Sequence, residues 1–308
     1  MSIGRRRSIS EVGIRMTQSM NDWDVDVFIE AGNTLGEGPI WWNYQSLLVW
    51  VDILECKIFA ANASGSVVHA FEMPEPVGCV FEMPDGSLMA GCQSGLRSVP
   101  DGELIAEIPD ASPNMRVNDG KVDPWGNFVF GTMGFPEPAE GIGTLWRWDG
   151  SSFNSLLSSV TIPNGMIWRP ENCEFLFIDT PTKCIRTYRY DENTVELGEP
   201  ISVIDLSGID GDPDGMCEGA NGELLVAMWD GNAVICIYPS GSIAKLDMPC
   251  SRPTSILSVA SFPSLSGEDA SFKFVVTSAQ SESGGNLYGL APKRQDSNDF
   301  GSLGIVPS

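Results

Sequence analysis

Arg116-Val117-Asn118-Asp119-Gly120-Lys121-Val122-Asp123-Pro124-Trp125-Gly126-Asn127-Phe128-Val129-Phe130-Gly131-Thr132-Met133 is the stretch from which the rest of the chain can be read. Its first half packs a cation, an amide and a carboxylate into Arg116–Asp119 and turns at Gly120. Its second half is a turn, Asp123 to Asn127, running into a short apolar strand that ends in small residues. A polar loop feeding a buried strand lets a rigid sheet present side chains at its edge.

The same layout recurs. A turn followed by a short apolar strand is found at Ser46–Asp52, Pro84–Cys92, Asp123–Thr132, Arg169–Asp179, Ala220–Met228 and Ser271–Thr277. These copies end at 52, 92, 132, 179, 228 and 277, so the intervals are 40, 40, 47, 49 and 49. A period of this length with several short strands per unit predicts a β-propeller, and six copies predict six blades. Gly143–Trp148, Cys184–Tyr190 and Ala233–Tyr238 supply further strands within the intervals. Trp23–Glu30 alternates like a strand ahead of the first copy and is expected to close the ring beside Gly285–Leu290, hiding two sheet edges. The 33 Gly and 21 Pro are spread along the chain, as many tight turns require. No apolar run has helical periodicity over a useful length, which disfavours βαβ units. The expected fold is therefore all-β, a six-bladed β-propeller over residues 21–308, with residues 1–20 as a mobile tail.

Composition narrows the function. A net charge of −23 argues against nucleic acid, because phosphate binding needs a basic face. No stretch is long enough to span a bilayer, and Arg5-Arg6-Arg7 lacks the apolar segment of a signal peptide behind it. The eight cysteines include no C-x-x-C pair, and His69 is the single histidine, so a Cys/His zinc site is disfavoured. Reduced cysteines in a cytoplasmic protein are the simpler expectation. His69 lies in an outer strand of the first unit with no catalytic Ser motif nearby, which leaves a Ser-His-Asp triad without its base.

The polar residues keep step with the repeat. Glu37 lies 15 residues before Asp52, Asn118 lies 14 before Thr132, Asn164 lies 15 before Asp179, and Asp214 lies 14 before Met228. Gly78 holds the matching place in the second copy. One phase of the repeat means one end of the innermost strand, so four oxygen-bearing side chains are expected to converge near the central channel. A lone Asn or Asp before Gly caps a turn. Two carboxylates and two amides in register suit a hard divalent cation instead.

These residues also carry a resemblance. Gly36-Glu37-Gly38-Pro39-Ile40-Trp41, Arg116–Met133, Ile162-Pro163-Asn164-Gly165-Met166, Asp179-Thr180 and Pro213-Asp214-Gly215-Met216 resemble motifs of the regucalcin / senescence-marker-protein / gluconolactonase family, with Arg252-Pro253-Thr254-Ser255 as a weaker match. The resemblance runs from about Leu35 to about Leu290. It implies one catalytic divalent cation (Ca²⁺, Mg²⁺, Mn²⁺ or Zn²⁺) in the central channel. Glu37, Asn164 and Asp214 would be its ligands, Asp214 would double as general base, and Arg116 and Asn118 would bind a small-molecule substrate, a sugar lactone. The implied reaction is ring opening, with the cation polarising the carbonyl and Asp214 taking a proton from water. Alternatives are a propeller esterase or phosphotriesterase acting on a more apolar substrate, and a calcium-binding propeller without turnover. Arg116 has a second reading as a cation bonding strand-end carbonyls or pairing with Asp119. Asp119 reads as orienting the turn or a water, and Lys121 as a surface or structural residue.

Two departures from the family pattern stand out. The place of its acidic sugar contact falls near Pro136, where Glu137 or Glu140 are the available substitutes. A Ser/Pro-rich insertion, Ser255–Gly267, replaces the family's Phe-Gly-Gly. Both loops are expected to rim the site.

Overall fold

Each apolar run picked out above becomes the second strand of an antiparallel sheet, and six such sheets form a ring. The computed structural model describes residues 10–12, 16–259, 272–282 and 284–293. The innermost strands are Gly36–Trp42, Val77–Glu82, Met115–Val122, Pro163–Arg169, Asp212–Glu218 and Pro253–Ser258. The runs next to them are Leu47–Asp52, Leu88–Cys92, Phe128–Gly134, Glu174–Asp179, Leu224–Trp229 and Phe274–Ser278. Ser271, where the sixth copy begins, lies outside the described residues. Trp23–Ile29 pairs antiparallel with Leu287–Pro292 and is the outer strand of the sixth blade, so the ring closes as the alternation of Trp23–Glu30 predicted. Among the described residues helix is confined to two single 3₁₀ turns, Pro170–Asn172 and Thr180–Thr182.

Among the described residues the core is divided into six apolar clusters between neighbouring blades, for example Val49, Val51 and Ile58 of the first blade against Val77, Val80 and Ala90 of the second. The last cluster joins Val259, Val275 and Leu287 of the sixth blade to Trp41, Leu48 and Trp50 of the first. A blade in a ring is covered on both faces, so Leu47–Asp52 and Leu88–Cys92 are buried at every position instead of alternating. That double burial is why the repeat shows itself as short solid apolar runs.

Two features differ from the expectations. Residues 10–12 and 16–19 fall in the stretch read as a tail, yet they form strands. Ser10–Val12 pairs parallel with Ser202–Asp205, and Met16–Ser19 with Ile243–Asp247. The outer strands of the fourth and fifth blades otherwise present unpaired N–H and C=O groups, which an extended segment satisfies. Arg5–Arg7 lie outside the described residues. The second difference concerns the Ser/Pro-rich insertion, of which residues 260–271 also lie outside them. Its flanks are held together by Val259 N–H donating to Lys273 O at 2.9 Å. In this blade Pro253 pairs with Ser278 and Ser258 with Phe274. The described flanks, Val259 and Lys273, therefore lie at the end of the sheet opposite to the Pro163–Asn164 and Pro213–Asp214 ends.

All eight cysteines are free. Among the described residues no helix is long and apolar enough to cross a membrane. His69 is exposed on the outer strand Val67–Glu72.

Candidate functional site

The ring brings Glu37, Arg116, Asn118, Asn164 and Asp214 together on one cavity of about 260 Å³. A local device aims them. All six inner strands shift register at the same place, between Glu37/Ile40, Val77/Cys79, Val117/Gly120, Asn164/Met166, Pro213/Met216 and Pro253/Ile256. A bulge at a strand end turns the preceding side chain out of the pleat, here toward the channel. Gly38 and Gly165 follow two of the site residues with φ of 51° and 25°, a region that side chains with a Cβ avoid. Gly78 has a different reason. A Cβ there would collide with the carbonyl oxygens of Val117 and Asn118, so the second blade leaves its phase empty to let the third approach.

The loops leading into two of these strands are pinned by a repeated clasp. Asp52 accepts from the backbone N–H of Thr34 (2.8 Å) and Leu35 (3.0 Å), just ahead of Glu37. Asp179 accepts from Thr161 (3.2 Å) and Ile162 (2.8 Å), just ahead of Asn164. The last residue of an apolar run thus fixes where a site residue of the same blade begins.

Side chains from several blades then form one chain of hydrogen bonds. Arg116 Nη1 donates to Asn118 Oδ1 (2.8 Å) and to Val117 O (2.9 Å). Asn118 Nδ2 donates to Asn164 Oδ1 and to Pro163 O, both at 2.9 Å. Asn164 Nδ2 donates to Thr180 Oγ1, whose hydroxyl donates to Pro213 O, both at 2.8 Å. The chain ends beside Asp214. Glu37 Oε2 accepts from Gly38 N–H at 3.1 Å. Asp214 Oδ1 is buried without a hydrogen-bond partner, and so is Asp119 Oδ2.

Three buried carboxyl groups therefore share this region. Burial pushes Glu37 from 4.5 up to about 8, and the charge of Asp119 adds to the push. Burial, with Glu37 and Asp119 behind it, holds Asp214 well above the carboxylate range. Burial also raises Asp119, which Lys121 opposes. Burial lowers Arg116 to about 10, while Glu37 and Asp214 favour its charged form, so it remains a cation at neutral pH. Carboxyl groups held this way in low dielectric ask for a positive partner. A hard divalent cation fits the donor set, since two carboxylates and the Asn164 amide offer only oxygen and Asp214 Oδ1 is otherwise orphaned. No group of three or more His, Cys, Asp or Glu side chains has metal-binding geometry among the described residues, so an amide would have to complete the set.

Several functional neighbours were not legible beforehand. Thr180 links Asn164 to the fifth blade, and the only hint was its place after Asp179 in the Asp179-Thr180 pair. Asp119 does orient its turn, accepting from Gly120 N–H at 2.7 Å, but its second oxygen is buried among the site carboxylates. Thr254 holds the sixth phase, and the insertion hid it from counting. It bonds Gly36 O and Thr277 Oγ1 and is not among the residues lining the cavity. Glu137 and Glu140 are exposed and do not line it either. Their loop contributes Pro138 instead.

Lys121 proves to be an internal strut. Its Nζ donates to Met216 O (2.8 Å) and Met166 O (3.2 Å), two residues beyond Asp214 and Asn164 on their respective strands. It fixes the separation of the strands that carry those two side chains. Lys121→Met should destabilise the fold by about 1.5–3 kcal/mol, the range for a charged hydrogen-bonding group. Calorimetry would show this as a Tm drop of several degrees, with partial recovery in Lys121→Arg. An unchanged Tm would remove the strut.

A family model described as the SMP-30/Gluconolactonase/LRE-like region matches residues 35–267. The chain is 28% identical over 265 residues to 6-deoxy-6-sulfogluconolactonase of Pseudomonas putida, covering 84% of this chain and 88% of that one. It is 31% identical over 237 residues to regucalcin of Gallus gallus, covering 72% and 78%. Among solved structures, a calcium-binding protein, regucalcin, from Agrobacterium tumefaciens superposes with a TM-score of 0.76 at 25% identity, over 91% of this chain and 98% of that one.

Proposed function

This chain belongs to the SMP-30/gluconolactonase/LRE-like family, and on that premise we propose that it hydrolyses the ring ester of a lactone with the help of one divalent cation. One observation carries the reading: buried carboxylates of two blades and an amide of a third meet on one cavity, with Asp214 Oδ1 unpartnered. Relatives named for lactonase activity supply the substrate class, sugar lactones included.

Glu37, Asn164 and Asp214 would hold the cation, Ca²⁺, Mg²⁺, Mn²⁺ or Zn²⁺. When bound it would polarise the lactone carbonyl and stabilise charge on its oxygen. Asp214 is the general base. A water in the cavity attacks the carbonyl carbon as its proton passes to a carboxylate oxygen of Asp214. The tetrahedral species collapses by breaking the ring C–O bond. The leaving alkoxide recovers the proton from Asp214, giving a hydroxy acid. Arg116 and Asn118 orient the substrate. Among the described residues the guanidinium donates through Nη1, which leaves its other edge for substrate oxygen. The chain Arg116–Asn118–Asn164–Thr180 holds the polar side chains of this wall in place, so little reorganisation remains for the reaction itself.

The test is proton release from a lactone panel by chelator-treated protein, with each cation restored in turn and Asp214→Asn as the blank. Cation-dependent release above the blank supports the reading. Cation binding by calorimetry without release from any lactone would overturn it in favour of a calcium-binding propeller without turnover.

A further inference from the structure

Polar and apolar side chains divide the cavity unevenly. The polar ones are mostly already engaged with each other. Both N–H groups of the Asn118 amide are spent on Pro163 O and Asn164 Oδ1, and its oxygen accepts from Arg116. The Thr180 hydroxyl donates to Pro213 O and accepts from Asn164. Glu37, Asn164 and Asp214 are taken up by the cation and the water proton, which leaves the free edge of Arg116 for substrate oxygen. The cation and this edge can serve an ester group and a neighbouring hydroxyl, but not a hydroxyl on every ring carbon.

The remaining lining is Leu35, Met133, Pro138, Ile162 and Trp229, with Asp212 at its edge. Asp212 is tied to Lys183 at 3.1 Å. Trp229 lies under the guanidinium of Arg252, 5.0 Å from its ring centroid, and Arg252 is in turn paired with Asp230 at 2.8 Å. These charged groups are matched among themselves, which leaves the indole as apolar lining. The loop before Gly143 presents Pro138 to the cavity, while its Glu137 and Glu140 are exposed and do not line it.

Resting on the lactone-hydrolase reading, we infer that the substrate is a lactone bearing an apolar arm in place of part of a sugar lactone's hydroxyl set, and that apolar residues of the cavity lining, Trp229 among them, receive this arm. A hydroxyl pressed against such apolar lining loses its water partners, which disfavours it by about 5- to 150-fold. A methylene placed there gains about 0.8 kcal/mol, a factor of about 4.

The experiment compares kcat/KM of the full chain, at saturating divalent cation, for glucono-δ-lactone and a series of 5-alkyl-δ-valerolactones of increasing chain length. The expected result is a rise of about 2- to 4-fold per added methylene over the first few carbons, with the alkyl lactones exceeding the sugar lactone. Trp229→Ala should flatten that dependence on chain length. Hydrolysis that favours glucono-δ-lactone, with no gain along the alkyl series, overturns the inference and leaves the lactonase reading standing. Hydrolysis of no member overturns both.

Discussion

Asp214→Asn is expected to lower kcat/KM for lactone hydrolysis by roughly 10²- to 10⁴-fold, the usual worth of a positioned general base, while the protein folds normally. The side chain keeps its shape and one oxygen, but it cannot accept the proton of the attacking water. Nor does the fold depend on its charge. Asp214 Oδ1 makes no hydrogen bond, and burial already disfavours the ionised form. The metal-free variant should therefore be at least as stable as the parent at neutral pH. Assays at saturating cation separate proton transfer from weakened cation binding, because only the former persists there. Near-parental turnover in Asp214→Asn would remove this residue from the proton path.

Glu37→Gln should have a comparably large effect on a different observable, the pH dependence of stability without metal. The Glu37 carboxyl is raised from 4.5 to about 8 in the folded chain. Between those values the folded protein keeps a proton that the unfolded chain releases, so stability falls as pH rises. The cost at pH 7 is roughly 3 kcal/mol, at 1.36 kcal/mol for each pKa unit. Gln is neutral throughout. Urea unfolding of chelator-treated protein should show the parent losing stability from pH 5 to pH 8 and the variant losing distinctly less. Asp214, shifted in the same direction, keeps some slope in both. The order reverses with cation present, since Glu37→Gln removes a proposed charged ligand and should gain less from added Ca²⁺. Equal slopes for the two metal-free proteins would mean that Glu37 ionises in the fold without penalty.

Much of this molecule is local, and what is local was readable. Blade number follows from solid apolar runs such as Leu47–Asp52, because a strand covered on both faces carries its burial in its own residues. Closure by Trp23–Ile29 follows from its alternation, since an outer strand has one wet face. The common phase of Glu37, Asn118, Asn164 and Asp214 was countable because turn and strand lengths barely vary between copies. Thr254 falls outside that spacing because the insertion lengthens its copy. Its Pro253 end was identified only by pairing with Ser278.

Contacts between blades were decided elsewhere. Nothing near Lys121 in sequence shows that its ammonium reaches Met166 O and Met216 O, because the bulge that turns it inward is a property of paired strands. Thr180, Asp119 and the apolar lining that includes Trp229 likewise take their surroundings from residues far along the chain. The sequence by itself determined the ring, its six units and the phase at which polar side chains face the channel. Only the tertiary structure decided which of those side chains have spent their hydrogen bonds on one another, which oxygen is left over, and that Val259 and Lys273, which flank the insertion, lie at the far end of their sheet. Strand and turn preferences act over a few residues, whereas hydrogen-bond satisfaction and burial depend on which blades the closed ring sets side by side.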